Sequence, residues 1–271
     1  MGEIFVVGGH GYVGTRIAAA AQHHGRLTHA VTRYGGTKFG LPSTSWPDFL
    51  AELPSHDDAR VIWLLDGAKD DEPERLGELL TAAGTELAVV AVSTCTVYGN
   101  RGDELCTEDL ERRLLAPLAE IKAGVEDTLA AAEVTSCALR LGALYGVDDR
   151  AVRPDRIESW IREGREEGVI TVPAIDHWRG WLHRDQAARA LYRAAANRSS
   201  GVFNVTTANL TFGQAVEPAA RVTGAEIRNG SKPDPLSYRV DSSAAIEAGL
   251  LDVLPGEGLE EATLAYASAT H

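Results

Sequence analysis

Three glycines, Gly8, Gly11 and Gly14, lie within "VVGGHGYVGTRIA", directly after an apolar run of strand length and at the opening of a helical one. In that setting the glycines allow a tight turn, a close approach of a pyrophosphate to the backbone, and intimate packing of helix on strand. The helix N-terminus then stabilises the bound anion. The spacing predicts a dinucleotide groove formed by Gly8, His10, Gly11, Tyr12, Val13 and Gly14. A P-loop is disfavoured, because Thr15-Arg16 stands where a Lys-Ser/Thr pair would hold phosphate and Mg²⁺.

The choice of nucleotide turns on the end of the second strand, where an acid would bond a ribose 2′-hydroxyl and repel a 2′-phosphate. The residues there are Thr32 and Arg33, in "VTRYGG", with no acid. A guanidinium holds phosphate bidentately, so NADP(H) is favoured over NAD(H), with His10 as a second phosphate contact. Leu65, Asp66 and Gly67, at and just after the end of the third strand, are assigned to the same groove.

The elements that must position this loop alternate along the first half of the chain. Strands are predicted at 3–8, 28–32, 60–65, 87–93 and 136–141, with helices at about 12–23, 73–83 and 116–132. That alternation gives an α/β fold, a Rossmann-type doubly wound parallel sheet covered by helices on both faces. Segment 34–59, rich in Gly and Pro, reads as mostly loop with one short strand and a helical turn. After residue 150 come a charged helix, the strand "VITVPA", the tryptophan-bearing "DHWRGWLHRD", a helix at 184–196 capped by Asp185, the strand "GVFNVT" and two short surface helices. Residues 1–150, completed by about 180–206, are expected to form the nucleotide-binding domain, and 151–179 with 207–271 a small C-terminal substrate lobe.

Four segments carry a family likeness: the glycine loop, "STCTVYG" (93–99), "LRLGALYG" (139–146) and "RGWLHRD" (179–185). "GVFNVT" (201–206) and "RVDSSAAIEAGL" (239–250) follow in the right order. Together they resemble the extended short-chain dehydrogenase/reductases, the NAD-dependent epimerase/dehydratase group, over nearly the whole chain. The resemblance implies a hydroxyl at Thr94 and a Tyr-x-x-x-Lys pair whose lysine is Lys122. The position of the tyrosine is Leu118, and leucine neither donates nor accepts a proton. Thr94, Lys122 and Tyr98 are therefore the candidate catalytic residues, with Lys122 also expected to hold the nicotinamide ribose. Thr94, Tyr98, Tyr145, Trp178, Arg179 and Arg239 are the candidate substrate contacts; the two arginines would suit an anionic substrate and the tryptophan a planar ring.

Three functions remain open on these residues. One is an NADPH-dependent reductase of a ketone on a small polar metabolite, with a non-standard proton donor. Another is a pseudoenzyme that binds NADP(H) to sense redox state or hold a partner. The last is an epimerase or isomerase with a tightly held cofactor. The net charge of −13, from 26 basic and 39 acidic residues, disfavours nucleic acid. No apolar run reaches the ~20 residues of a membrane span, and the start shows neither a signal peptide nor a myristoylation site, so a cytoplasmic protein without a membrane partner is expected. The three cysteines suggest no zinc site or disulfide framework, and no metal is expected. A homodimer through the lysine-bearing helix, as in relatives, is a further expectation.

Overall fold

The run "IFVV" of β1 (Ile4–Val7) is buried throughout, as a central parallel strand covered on both faces requires. The computed structural model describes residues 2–24, 28–65, 71–84, 86–147, 155–232, 234–252, 254 and 256–270. After β1 the first half runs α1 (Gly14–His23), β2 (Thr28–Thr32), β3 (Tyr34–Lys38), β4 (Leu41–Ser45), α2 (Trp46–Glu52), β5 (Arg60–Trp63), α3 (Glu72–Ala82), β6 (Ala88–Thr94), β7 (Asn100–Cys106), α4 (Pro117–Ala131), β8 (Thr135–Leu141) and β9 (Ala143–Tyr145). The second half adds α5 (Arg156–Glu167), β10 (Val169–Val172), β11 (Trp178–His183), α6 (Arg184–Ala196), β12 (Gly201–Val205), β13 (Ala208–Thr211), α7 (Phe212–Thr223), β14 (Glu226–Asn229), β15 (Ser237–Val240), α8 (Ser243–Glu247) and α9 (Leu259–Ala269).

The main sheet has the order β12-β8-β6-β5-β1-β2-β4-β3, and every neighbouring pair is parallel except β3 with β4. Chain order reverses at β1, which pairs with β2 on one side and β5 on the other, so the crevice beyond the strands' C-terminal ends lies there. One face is covered by α1 and α6 through Ile17, Ala21, Leu191 and Ala194. The other is covered by α2, α3 and α4 through Phe49, Leu76, Leu79, Val125 and Leu129.

Segment 34–59 is more regular than its glycines and prolines suggest. Phe39 and Gly40 both take positive φ, 54° and 73°, making a two-residue hairpin turn of the type whose twist matches β-strands. The returning strand β4 pairs parallel with β2, and the Thr32 and Ser43 hydroxyls meet at 2.9 Å. Ser45 then caps α2 by accepting the N–H of Asp48 at 3.3 Å, and Pro47 sits in the first turn where its missing N–H costs nothing.

The later elements divide between two places. Helix α6 and strand β12 join the main sheet, whereas β9, β11 and β13 form a separate three-stranded sheet. Around the latter, α5, α7 and α9 enclose a second core of Ile157, Trp160, Trp181, Phe212 and Val216. β8 passes through Gly142 directly into β9, so this lobe is attached at the C-terminal edge of the sheet. The cap of α6 differs from expectation. His183 accepts the N–H of Asp185 at 3.2 Å, while the Asp185 carboxylate receives two bonds from Arg16, at 2.6 and 2.7 Å, tying α1 to α6. Among the described residues no helix is long and apolar enough to cross a membrane.

Candidate functional site

The glycine loop has the geometry its sequence requires at two positions. Gly8 turns the chain with φ +85°, and a Cβ on Gly14 would stand 2.6 Å from the Gly8 carbonyl oxygen. The loop is closed by Gly11 N–H donating to Gly8 O at 2.9 Å, and the first turn of α1 carries no acid to repel an anion. In front of it opens a cavity of about 520 Å³. It follows the strand order from Thr32, Arg33, Trp46 and Arg75 at one end, past Gly8 to Gly14, to Thr94, Leu118, Lys122 and Gly142 at the other.

Most of the expected nucleotide contacts line this cavity: Gly8, His10, Gly11, Tyr12, Val13, Gly14, Thr32, Arg33, Leu65 and Lys122. Asp66 and Gly67 lie outside the described residues. His10 Nε2 is 2.9 Å from Leu41 O and so braces the loop against the β3–β4 hairpin. Tyr12 is nearly buried, its hydroxyl 2.6 Å from Gly146 O and 3.0 Å from Asp155 Oδ2, tying the loop to the start of α5. Among the described lining residues there is no Asp or Glu, while two arginines gather at the β2 end. Arg75 is one that sequence reasoning missed. Its guanidinium lies 5.5 Å from the ring of Trp46, whose indole N–H donates to Glu78 at 2.7 Å. The fourth position of a charged helix carried no signal for Arg75, because the packing of α3 on α2 brings it to the groove.

At the other end, Thr94 ends β6 facing the cavity. Its Oγ1 accepts the N–H of Thr96 at 3.2 Å and lies 3.0 Å from the Thr96 hydroxyl, which fixes its orientation. Lys122 and Leu118 share one face of α4 at i, i+4 spacing, both lining the cavity, and Leu118 is 40% exposed. The lysine is committed. Its Nζ donates to Leu65 O at 2.8 Å and to the two carboxylate oxygens of Glu72 at 2.7 and 2.8 Å. Glu72 is completely buried and also accepts the Trp63 indole N–H at 3.0 Å. An acid one residue before Pro73 reads in sequence as a helix-start residue, so its role as the counter-ion of Lys122, fifty positions away, was not legible.

Five of the expected catalytic or substrate residues stand elsewhere. Tyr98 is fully buried away from the cavity; its hydroxyl donates to Asn204 Oδ1 at 2.6 Å and accepts from Arg140 at 2.9 Å. Burial pushes its phenol far above the ordinary tyrosine range, so it is no proton donor to this cleft. Tyr145 is buried in the second lobe with its hydroxyl on Glu257 O at 2.7 Å, and burial raises it to about 12. Arg179 is 4% exposed; it donates to Trp178 O and Leu236 O, both at 2.6 Å, and is paired with Asp234. Trp178 gives its indole N–H to Asp103 at 2.6 Å. Arg239 stacks on that indole, 5.0 Å from the ring, and neither side chain lines the cavity.

A cluster with metal-ligand chemistry, His183, Asp185 and Glu257, brings its atoms within 4.8 Å of one another. Its carboxylates already face guanidinium groups: Asp185 holds Arg16, and Glu257 holds Arg189 at 2.6 and 2.7 Å.

A doubly wound sheet with a glycine-lined groove at its switch point, a threonine and a lysine at the far end of that groove, and a second lobe beside it defines a Rossmann protein of the short-chain dehydrogenase/reductase kind. Residues 73–206 match the family described as NAD dependent epimerase/dehydratase family. No curated protein matches the chain in sequence. Among solved structures, the fold is similar to that of MoeE5 in complex with UDP-glucuronic acid and NAD, with a TM-score of 0.80 and 24% identity over 99% of each chain. UDP-N-acetylglucosamine 4-epimerase from Bacillus cereus gives 0.76 and 19% identity over 98% of this chain and 99% of that one. A dTDP-glucose 4,6-dehydratase from Bacillus anthracis, in complex with NAD, gives 0.80 and 15% over 99% and 97%.

Proposed function

We propose that this protein is an NADP(H)-dependent oxidoreductase that reduces a ketone without the phenolic acid of its relatives. The observation that carries this reading is the groove itself: cationic and free of acids among its described residues at the β2 end, glycine-lined in the middle, and bounded by Thr94 and Lys122 at the far end. Gly14 supports the cofactor in particular, since any side chain there would meet the Gly8 carbonyl and fill the cradle. The cofactor, when bound, supplies the hydride.

The protein's own residues then have limited tasks. The N-terminus of α1 and the loop N–H groups hold the pyrophosphate. Arg33, with Arg75 lining the same cavity, supplies positive charge where a 2′-phosphate would lie. Thr94, oriented by Thr96, hydrogen-bonds the carbonyl oxygen and passes it a proton from water. Lys122 is a structural floor, because its three N–H groups are already used. A general acid contributes typically ~10²–10⁴-fold, so a reductase lacking one is slow, not inert. Epimerisation at one carbon needs hydrogen removed and returned under acid–base control; among the described lining residues at this end, Ser93 is bonded to Glu126 and Lys122 to Glu72, which leaves Thr94 for that task, so that reading is the less supported. A cofactor-binding protein without turnover is the second reading, favoured by the combination of Leu118 with a neutralised lysine.

NADPH is expected to bind at least about tenfold more tightly than NADH, and Arg33→Glu to reverse the order, as read by nucleotide fluorescence titration. Deuterium from labelled NADPH is expected in the alcohol product of a turned-over ketone, and Thr94→Val to remove most of that transfer. Tight NADPH binding with no label transfer across a broad ketone panel would leave the second reading.

A further inference from the structure

We propose that the carbonyl substrate is an uncharged, apolar compound and not a nucleotide-linked sugar; this rests on the reductase reading above. Among the described residues, the positive charges that best suit a diphosphate near the reacting end, Arg179 and Lys122, are engaged inside the protein. The Arg179 guanidinium sits between the rings of Phe212 and Tyr238, 5.0 Å from each, with Asp234 and two carbonyls taking its N–H groups. Arg239 lies on Trp178 outside the cavity. Lys122 faces a buried carboxylate, so its charge is cancelled at 2.7 Å.

Among the described lining residues, those left at this end besides Thr94 are mostly apolar. Val92, Leu118, Leu141, Gly142 and Leu144 make the wall, and the neighbouring hydroxyl of Ser93 is bonded inward to Glu126. Moving a phosphate into such a wall would strip its water with no cation or N–H in exchange, which is strongly unfavourable. An alkyl or aryl group, by contrast, loses nothing by burial there and gains the hydrophobic term. Leu118 is central to this. Where relatives carry a polar phenol, its exposed methyls meet the substrate. The overall change is balanced: the carbonyl carbon gains a hydride from NADPH, which is oxidised, the C=O π pair moves to oxygen, and that oxygen takes a proton from water by way of Thr94.

The test is calorimetric binding of propiophenone, 2-octanone and UDP-glucose to the full chain saturated with NADP⁺, followed by NADPH turnover with each carbonyl. Propiophenone or 2-octanone is expected to bind at least about tenfold more tightly than UDP-glucose. Leu118→Asp is expected to weaken the ketone by about tenfold or more, because it puts a carboxylate against the apolar group. Aspartate in the first turn suits the start of α4, so an unchanged thermal midpoint is expected and separates loss of binding from loss of fold. UDP-glucose binding more tightly than the ketones, or no ketone binding to protein that still holds NADP⁺, would overturn the proposal and leave the cofactor reading intact. Failure of NADP⁺ itself to bind would instead overturn the reading on which it rests.

Discussion

Leu118→Tyr is expected to raise the rate of ketone reduction about tenfold, and Leu118→Tyr with Glu72→Gln by about 10²–10³-fold, within the range one positioned acid supplies. The single change restores a proton donor on the correct face of α4, in a position open enough to hold a phenol. It does not restore the field that makes the phenol a good acid. That field comes from a nearby ammonium, and here the ammonium is opposed at 2.7 and 2.8 Å by a fully buried carboxylate. Glutamine at 72 removes the negative charge while keeping an oxygen for Trp63 and Lys122. The uncancelled ammonium then lowers the phenol's pKa, by about one unit or more in an ultraviolet titration of the introduced group. The double variant is expected to lose thermal stability in the absence of nucleotide, since a buried charge has lost its partner. A double variant matching the single one in both rate and titration would show that Glu72 does not govern the charge felt at position 118.

Much of this arrangement is legible in the sequence, because it follows from local pattern. Continuous apolar runs such as "AVVAVS" need covering on both faces, and the glycine triplet can be placed from the strand before it and the helix after it. Thr94 and Lys122 reach the cavity as their motifs imply, one at a strand end and the other on a helix face set by its spacing from Leu118. The substrate arginines are the informative miss. "RGWLHRD" fixes a strand, but not the partners of its arginine, and Asp234 lies 55 residues further along the chain. A motif states where a guanidinium begins; tertiary packing states whether any of it is left for a ligand. Glu72, Arg75 and Trp46 were missed for the same reason, each owing its place to the contact of α2, α3 and α4 across one face of the sheet.

Glu126→Ala is expected to cost about 3–5 kcal/mol of stability, the usual effect of removing one partner of a buried pair. Glu126 and Arg140 have side chains 4% and 5% exposed and are joined by two bonds, at 2.9 and 2.7 Å, just behind the end of β6. Burial opposes the guanidinium's charge, but the bonds to Glu126 outweigh it and hold Arg140 above its ordinary pKa. The same guanidinium reaches Tyr98, which reaches Asn204, so strands β8 and β12 and the turn after β6 are all fastened to this pair. Alanine at 126 leaves that guanidinium buried without its counter-ion, and urea denaturation should show the loss directly. Glu126→Leu combined with Arg140→Met is expected to recover most of it, since apolar groups of similar volume owe no desolvation cost. A loss below about 1 kcal/mol in the single variant would mean that water enters to solvate Arg140, contrary to its burial. The functional consequence follows from position: Ser93 is bonded to Glu126 and Thr94 is the next residue, so in the alanine variant nucleotide binding should persist while the contribution of the Thr94 hydroxyl to turnover falls.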